Sequence, residues 1–135
     1  MITLRRKSRE FALQMLFEWD IAHQDPARIE RTFWKTARAV DFTRRFANHL
    51  FEGAVKGASA ADSLATLLSA NWRLERLAPI DRCILRLAIF ELQASTAPPS
   101  VVINEALELA KKFSSADAPA FLNGVLDAAR KSIAP

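Results

Sequence analysis

Apolar residues recur along the chain at helical spacing, in runs separated by short polar or proline-containing breaks. In the first run, Ala12, Met15, Leu16 and Trp19 form one apolar stripe at the spacing of an α-helix. The same periodicity in later runs predicts about seven helices. Long alternating runs of β-branched residues, which are typical of strands, are missing. The pattern therefore predicts an all-α fold, a compact bundle with short loops.

Prolines, glycines and short polar residues mark where the predicted helices begin and end. Asp25 and Pro26 are suited to cap and open the second helix, because proline at the first helical position loses no hydrogen bond. Gly57 is expected to end the third helix. Ser100, which follows two prolines, is expected to cap the sixth.

One segment is apolar on nearly all sides. It runs from Pro79 to about Ala94, so the helix predicted there must lie at the centre of the bundle. Cys83, the only cysteine, falls in this segment and is expected to be buried rather than reactive. Gly124 falls inside the last predicted helix, where glycine costs about 1 kcal/mol relative to alanine. We therefore expect a neighbouring helix to approach Gly124 closely.

Positive charge is concentrated at the start of the chain. The 135 residues carry a net charge of +4, and Arg5, Arg6, Lys7 and Arg9 precede the first acid, Glu10. Guanidinium groups bind phosphates through paired N–H groups and stack on bases. Cations at a helix N-terminus are disfavoured by the helix dipole, which suggests an external ligand. The cluster predicts binding of a polyanion such as RNA. A solvated helix start whose cations pair with acids of the chain stays the alternative.

An exposed aromatic side chain would favour single-stranded nucleic acid, because bases stack on aromatic rings. Phe121 follows Asp117 near the start of the last predicted helix. It is turned by about 100° from the inner face that Leu122 helps to define. The sequence leaves open whether Phe121 is half exposed or packed in the core.

Motifs for catalysis, cofactor binding or metal ligation are not found in the sequence. His23 and His49 lack the spacing of metal ligands, and three glycines cannot supply a phosphate-binding loop. We therefore expect no enzymatic activity, no cofactor and no metal. Apolar runs are too short to span a membrane, and acids follow the basic start too soon for a transit peptide, so a cytoplasmic protein is expected.

Four segments resemble the NusB family of bacterial transcription antitermination factors. They are RRKSREFALQMLF (5–17), IDRCILRLA (80–88), VINEALELAKKF (102–113) and FLNGVLD (121–127). Their order and spacing cover nearly the whole chain. Ser114 stands where the family usually has glycine, and Phe17 where it often has tyrosine.

The resemblance implies one NusB-like RNA-binding domain over 1–135, built from two helical subdomains at about 1–75 and 76–135. It implies binding of single-stranded boxA-type RNA in nascent ribosomal RNA transcripts. NusE, a ribosomal small-subunit protein, would bind jointly, and both would help to assemble an antitermination complex on RNA polymerase with other Nus factors. Some family members self-associate, so the choice between monomer and homodimer is left open.

The resemblance also implies site residues. The implied RNA-binding residues are Arg5, Arg6, Lys7, Arg9, Phe121 and Asp117, and the implied NusE-binding residues are Glu75, Asp81 and Arg82. A protein–protein adaptor that does not touch nucleic acid is the alternative function.

Overall fold

The computed structural model describes residues 3–69 and 77–133. Within these residues the chain forms seven α-helices and no strand, which confirms the all-α prediction. The helices are α1 (Leu4–Ala22), α2 (Pro26–Thr36), α3 (Asp41–Lys56), α4 (Ala58–Leu68), α5 (Pro79–Ala94), α6 (Pro99–Phe113) and α7 (Ala118–Ile133).

Helix α5 lies at the centre of the bundle, as its apolar pattern predicts. It packs against α1, α3, α4, α6 and α7. Ile84, Leu85, Leu87 and Ile89 are almost completely buried. Cys83 is also fully buried, which confirms the expectation for this residue. Burial raises the pKa of its thiol to about 12, so the reactive thiolate is not formed at neutral pH.

Ion pairs fix the direction of α1 against α5. Arg9, near the start of α1, pairs with Glu91, near the end of α5. Asp20, near the end of α1, pairs with Arg82, near the start of α5, at 2.8 Å. The two helices are therefore antiparallel. As a result, the basic start of the chain lies at the end of the bundle where α5 terminates.

Most helix ends follow the predicted signals. Pro26 opens α2, and Gly57 is the C-cap of α3. Asp25 occupies the N-cap position of α2, but its side chain makes no capping hydrogen bond. The prediction for Ser100 is wrong, because Pro98 is the N-cap of α6 and Ser100 lies inside the first turn. A proline-fixed φ starts this helix without a side-chain cap.

The prediction of a close helix approach at Gly124 is also wrong. Gly124 is exposed, and a Cβ atom built there would meet nothing within 4 Å. The close approach lies at Gly53 of α3 instead. A Cβ atom there would overlap ring carbons of Phe90 on α5. The absence of a side chain at Gly53 therefore allows α3 and the Phe90 ring to pack.

The predicted boundary between the two subdomains falls within residues 70–76, which lie outside the described residues. The division into two subdomains stays a prediction. Buried side chains of α1, α3 and α5–α7 belong to one continuous apolar cluster. None of the described helices is long and apolar enough to cross a membrane.

Candidate nucleic-acid interface

Arg5 is an exposed cation on the first turn of α1, and it rests on aromatic rings of α3. Its guanidinium carbon lies 4.0 Å from the ring centroid of Phe46 and 5.6 Å from that of Phe42. Among the described residues, the ion pairs of this helix involve Arg6, Lys7 and Arg9 but not Arg5. A guanidinium stacked on a ring keeps the N–H groups at its edge free. Arg5 can therefore donate to a phosphate.

Arg6 is held by an acid of α6. Its Nε donates to both carboxylate oxygens of Glu105, at 3.0 and 3.3 Å. The hydrogen bond and the negative charge of Glu105 raise the pKa of Arg6 above its ordinary value. The side chain is nevertheless 36% exposed. A phosphate can reach Arg6 by replacing Glu105 or by sharing the guanidinium with it.

Lys7 is the third accessible cation of this turn. Its side chain is 45% exposed, and Nζ lies 4.8 Å from the ring centroid of Phe11. Its acidic neighbour is Glu10, at 3.8 Å, and Glu10 is also paired with Lys112 at 2.9 Å. Lys7 is thus only weakly paired, and its flexible stem can follow a ligand.

Arg9 must be removed from the predicted RNA-binding group. Its side chain is 4% exposed, and two of its nitrogens donate hydrogen bonds of 2.9–3.1 Å to the carboxylate of Glu91. The guanidinium could reach a ligand only by leaving the core and exposing a buried carboxylate. Arg9 instead stabilises the packing of α1 on α5.

The seam between α1 and α6 forms a charged groove of about 260 Å³. Its charged lining residues are Arg6, Arg9, Glu10, Glu105, Glu108, Lys111 and Lys112. The pairing of Glu10 with Lys112 and of Arg6 with Glu105 makes the two helices parallel. Acids and cations alternate in this groove, so its surface is not uniformly positive. The accessible positive charge of α1 is therefore concentrated at its first turn.

Phe121 and Asp117 lie far from the basic start of α1. Phe121 is half-buried against the core and, with exposed Asp117, lines a pocket beside Asp81. Asp81 precedes Glu91, the partner of Arg9, by ten residues on α5, which corresponds to about 15 Å of helix rise. The structure therefore places the two groups of predicted RNA-binding residues at opposite ends of α5.

The predicted NusE-binding residues have partners within the chain. Asp81 is buried and accepts a hydrogen bond from the Ser114 hydroxyl at 2.6 Å. Ser114 has an extended backbone, so this position does not require the glycine that is usual in the family. Arg82 donates to Asp20 at 2.8 Å. Neither charged group is free for a partner, and Glu75 lies outside the described residues.

The structure contains an exposed aromatic groove that the sequence pattern does not predict. Phe17 and Phe113 are each 37% exposed, and with Leu13, Gln14 and Ile80 they line a cavity of about 420 Å³. Helical periodicity gave the side of the helix on which these rings lie. It did not show that the covering helices end there, since Phe113 is the last residue of α6.

Comparison with known proteins identifies the family. The model of the NusB family matches residues 6–131. The chain is 44% identical over 131 residues to the transcription antitermination protein NusB of Koribacter versatilis, covering 96% of this chain and 90% of that protein. The solved structure of T. maritima NusB superposes with a TM-score of 0.87, at 30% identity, over 100% of this chain and 96% of that one.

A second solved structure contains the antitermination factors NusB and NusE in complex with dsRNA. It is similar to this chain with a TM-score of 0.84 at 27% identity, covering 98% of this chain and 99% of that one. The sequence match over nearly the whole length and the shared fold agree with the resemblance of the four sequence segments. The chain belongs to the NusB family of transcription antitermination proteins.

Proposed function

We propose that this non-catalytic antitermination factor binds single-stranded boxA-type RNA in nascent ribosomal RNA transcripts, jointly with NusE. The complex would help to assemble antitermination factors, including other Nus proteins, on RNA polymerase in the bacterial cytoplasm. A solved relative holds NusB, NusE and RNA together, which supports both classes of partner.

The observation that carries the proposal is the set of accessible cations on the first turn of α1. Arg5 has no acidic partner among the described residues, Lys7 is weakly paired, and Arg6 is half-accessible beside Glu105. Three cations on one helix turn present donors to neighbouring phosphates of one strand. Because Arg9 is internal, the cluster neutralises three phosphates rather than four.

Phe121 and Asp117 form a second, separate contact in this proposal. Phe121 offers part of an aromatic face to a base, and exposed Asp117 repels phosphates beside it. A strand that reaches both Phe121 and the basic start must extend along the bundle over roughly the 15 Å rise between the two ends. Asp117 would then lower the affinity for RNA slightly, whereas the cations of α1 provide most of that affinity.

The aromatic groove that Phe17 and Phe113 line is the proposed NusE-facing surface. It is apolar and adjoins Ile80, in the segment that the resemblance implies for NusE. Asp81 and Arg82 would shape this surface through their bonds to Ser114 and Asp20 rather than contact NusE themselves. A Phe113→Ala variant should weaken NusE binding and leave RNA binding without NusE unchanged.

The test is a titration of boxA-type single-stranded RNA at several salt concentrations, with and without NusE. Three neutralised phosphates predict that log K falls with log salt at a slope of about −2. Arg5→Gln and Lys7→Gln should each flatten the slope by about 0.7. Leu67→Ala, which changes an exposed residue of α4 outside both proposed surfaces, is the control.

If the protein binds no RNA at low salt, either by itself or together with NusE, the proposal is contradicted. The apolar groove would then favour the second candidate function, a protein–protein adaptor. Its signature is binding of NusE that does not respond to charge reversal at Arg5 and Arg6. Sedimentation of the free protein at several concentrations distinguishes a monomer from a homodimer.

A further inference from the structure

Helix α3 presents an aromatic stripe at the end of the bundle where α1 begins. The aromatic stripe consists of Phe42, Phe46 and His49, which are spaced by four and three residues and so lie on one helix face. Phe42 is 44% exposed and His49 is exposed. The rings of Phe46 and His49 are stacked, with centroids 6.4 Å apart and an interplanar angle of 25°.

Arg5 joins this stripe to the basic start of α1. Its guanidinium carbon lies 4.0 Å from the Phe46 ring centroid, which is the contact distance of a stacked cation. A planar guanidinium on a ring presents one further face, on which a nucleobase can stack, and an edge of donors for the adjacent phosphate. Arg5 is therefore suited to hold a base and its phosphate together.

The surroundings of the aromatic stripe favour binding of a nucleic acid, which combines negative charge with planar bases. Arg45 follows Phe42 by three residues and so lies on the same side of α3, and its side chain is 74% exposed. Asp41 is the acidic partner of Arg45, at 2.9 Å, and of Arg44, at 3.1 Å. Positive charge beside exposed aromatic rings is the combination by which proteins bind single-stranded nucleic acid.

We propose that the aromatic stripe is a base-stacking site for the RNA strand that Arg6 and Lys7 contact. One base stacks on Arg5 above Phe46, and a neighbouring base stacks on the exposed ring of Phe42. The inference rests on the proposed RNA-binding function and extends it, because it adds α3 to the interface. It also assigns to Arg5 a stacking role in addition to its charge.

The experiment uses the full chain and a single-stranded RNA of about twelve nucleotides, with the fluorescent base 2-aminopurine at successive positions. Stacking quenches its fluorescence. Phe42→Ala should weaken binding at least about fivefold, the loss expected for one stacked base. The salt slope should stay unchanged, because the ring neutralises no phosphate. Phe42 is exposed, so the variant should melt as the parent does, and Leu67→Ala is the matched control.

Substitutions of Arg5 separate stacking from charge. Arg5→Lys keeps the positive charge and should keep the salt slope, but it should reduce the quenching at one position of the strand. Arg5→Gln should lose both the quenching and about 0.7 of the slope. A lysine variant that quenches as the parent does would overturn the stacking role.

Failure of this inference differs from failure of the proposed function. If Phe42→Ala binds RNA as the parent does while Arg6→Ala binds more weakly, the stripe is not on the RNA path and the RNA-binding function stands. If Phe42→Ala weakens NusE binding only, the stripe is a protein interface and the inference is overturned. If the parent protein binds no RNA, the proposed function and this inference fail together.

Discussion

Arg9 and Glu91 form a buried, bidentate ion pair that joins the start of α1 to the end of α5. Their side chains are 4% and 3% exposed, and the Thr96 hydroxyl donates a further hydrogen bond to the Glu91 carboxylate at 2.7 Å. Charges taken out of water to this extent persist only when they are matched by opposite charge and by hydrogen bonds. A basic residue that the sequence places among RNA contacts is therefore a structural residue.

Removal of one charge from this pair should destabilise the protein strongly. Glu91→Gln leaves the buried Arg9 guanidinium with only the more distant Glu105 carboxylate, at 3.8 Å, as counter-charge, and we expect a loss of about 3 kcal/mol in the free energy of unfolding. Urea unfolding measures this loss. The double variant Arg9→Met, Glu91→Leu removes both charges and should cost much less. Equal stability of the single variant and the parent would show that the pair is not buried in solution.

Glu105 should act as an internal competitor of RNA for Arg6. Glu105→Gln weakens a hydrogen-bonded ion pair that is partly exposed, so RNA affinity should rise about two- to fivefold. Glu108→Gln is the matched control. Glu108 lies in the same groove and carries the same charge as Glu105, but it pairs with Lys111. An equal gain for both variants would indicate a general charge effect and no competition at Arg6.

Two glycine substitutions should shift stability in opposite directions. Gly53→Ala forces the Phe90 ring away from α3 and should cost about 1–3 kcal/mol, as overpacking typically does. Gly124→Ala meets no atom and lies in an exposed helix interior, so it should stabilise the protein by up to about 1 kcal/mol. Thermal unfolding should show a lower Tm for the first variant and a higher Tm for the second. Stabilisation by Gly53→Ala would contradict the close approach of Phe90.

The contact of α2 with α3 should weaken as the pH rises. Burial raises the pKa of Glu30 to about 8, and the neighbouring carboxyl of Glu52 adds to this shift. One oxygen of Glu30 is buried without a hydrogen-bond partner among the described residues. A carboxyl whose pKa is raised by folding contributes stability below its ordinary pKa of about 4.3, and this contribution is lost as the pH rises to 8.

Glu30→Gln should remove that pH dependence. The variant resembles the protonated parent, so both should have similar Tm values below about pH 4, and the variant should have the higher Tm at pH 8. Thermal unfolding between these pH values measures the difference. Parallel pH profiles for the two proteins would contradict a raised pKa of Glu30. Arg31→Gln, an exposed neighbour on the same helix, serves as the control.

Local signals in the sequence were sufficient for the helices and for several buried residues. Periodicity of apolar positions predicts the seven helices of the described residues, and the apolar pattern of 79–94 predicts the central place of α5. Pro26 and Gly57 mark helix ends correctly because backbone geometry depends on these residues themselves. The burial of Cys83 follows from the same local pattern.

Features that depend on a distant partner could not be predicted from the sequence. The burial of Arg9 requires Glu91, which is 82 residues away. The exposure of Phe42 and Phe113 depends on where covering helices end, which periodicity within one helix does not show. The place of Phe121, away from the basic start, depends on the antiparallel arrangement of α1 and α5. Which of the predicted site residues are exposed, and at which end of the bundle they lie, therefore depends on how the helices pack.

The position of α5 has a consequence for the motions of the molecule. Because it packs against α1, α3, α4, α6 and α7, no partial opening can expose its backbone while the remaining bundle keeps its shape. Its amide protons should therefore be the last to exchange with deuterated water, at the rate of complete unfolding. Short-lived rearrangements that admit a ligand would then be confined to the outer helices, around an axis that stays in place.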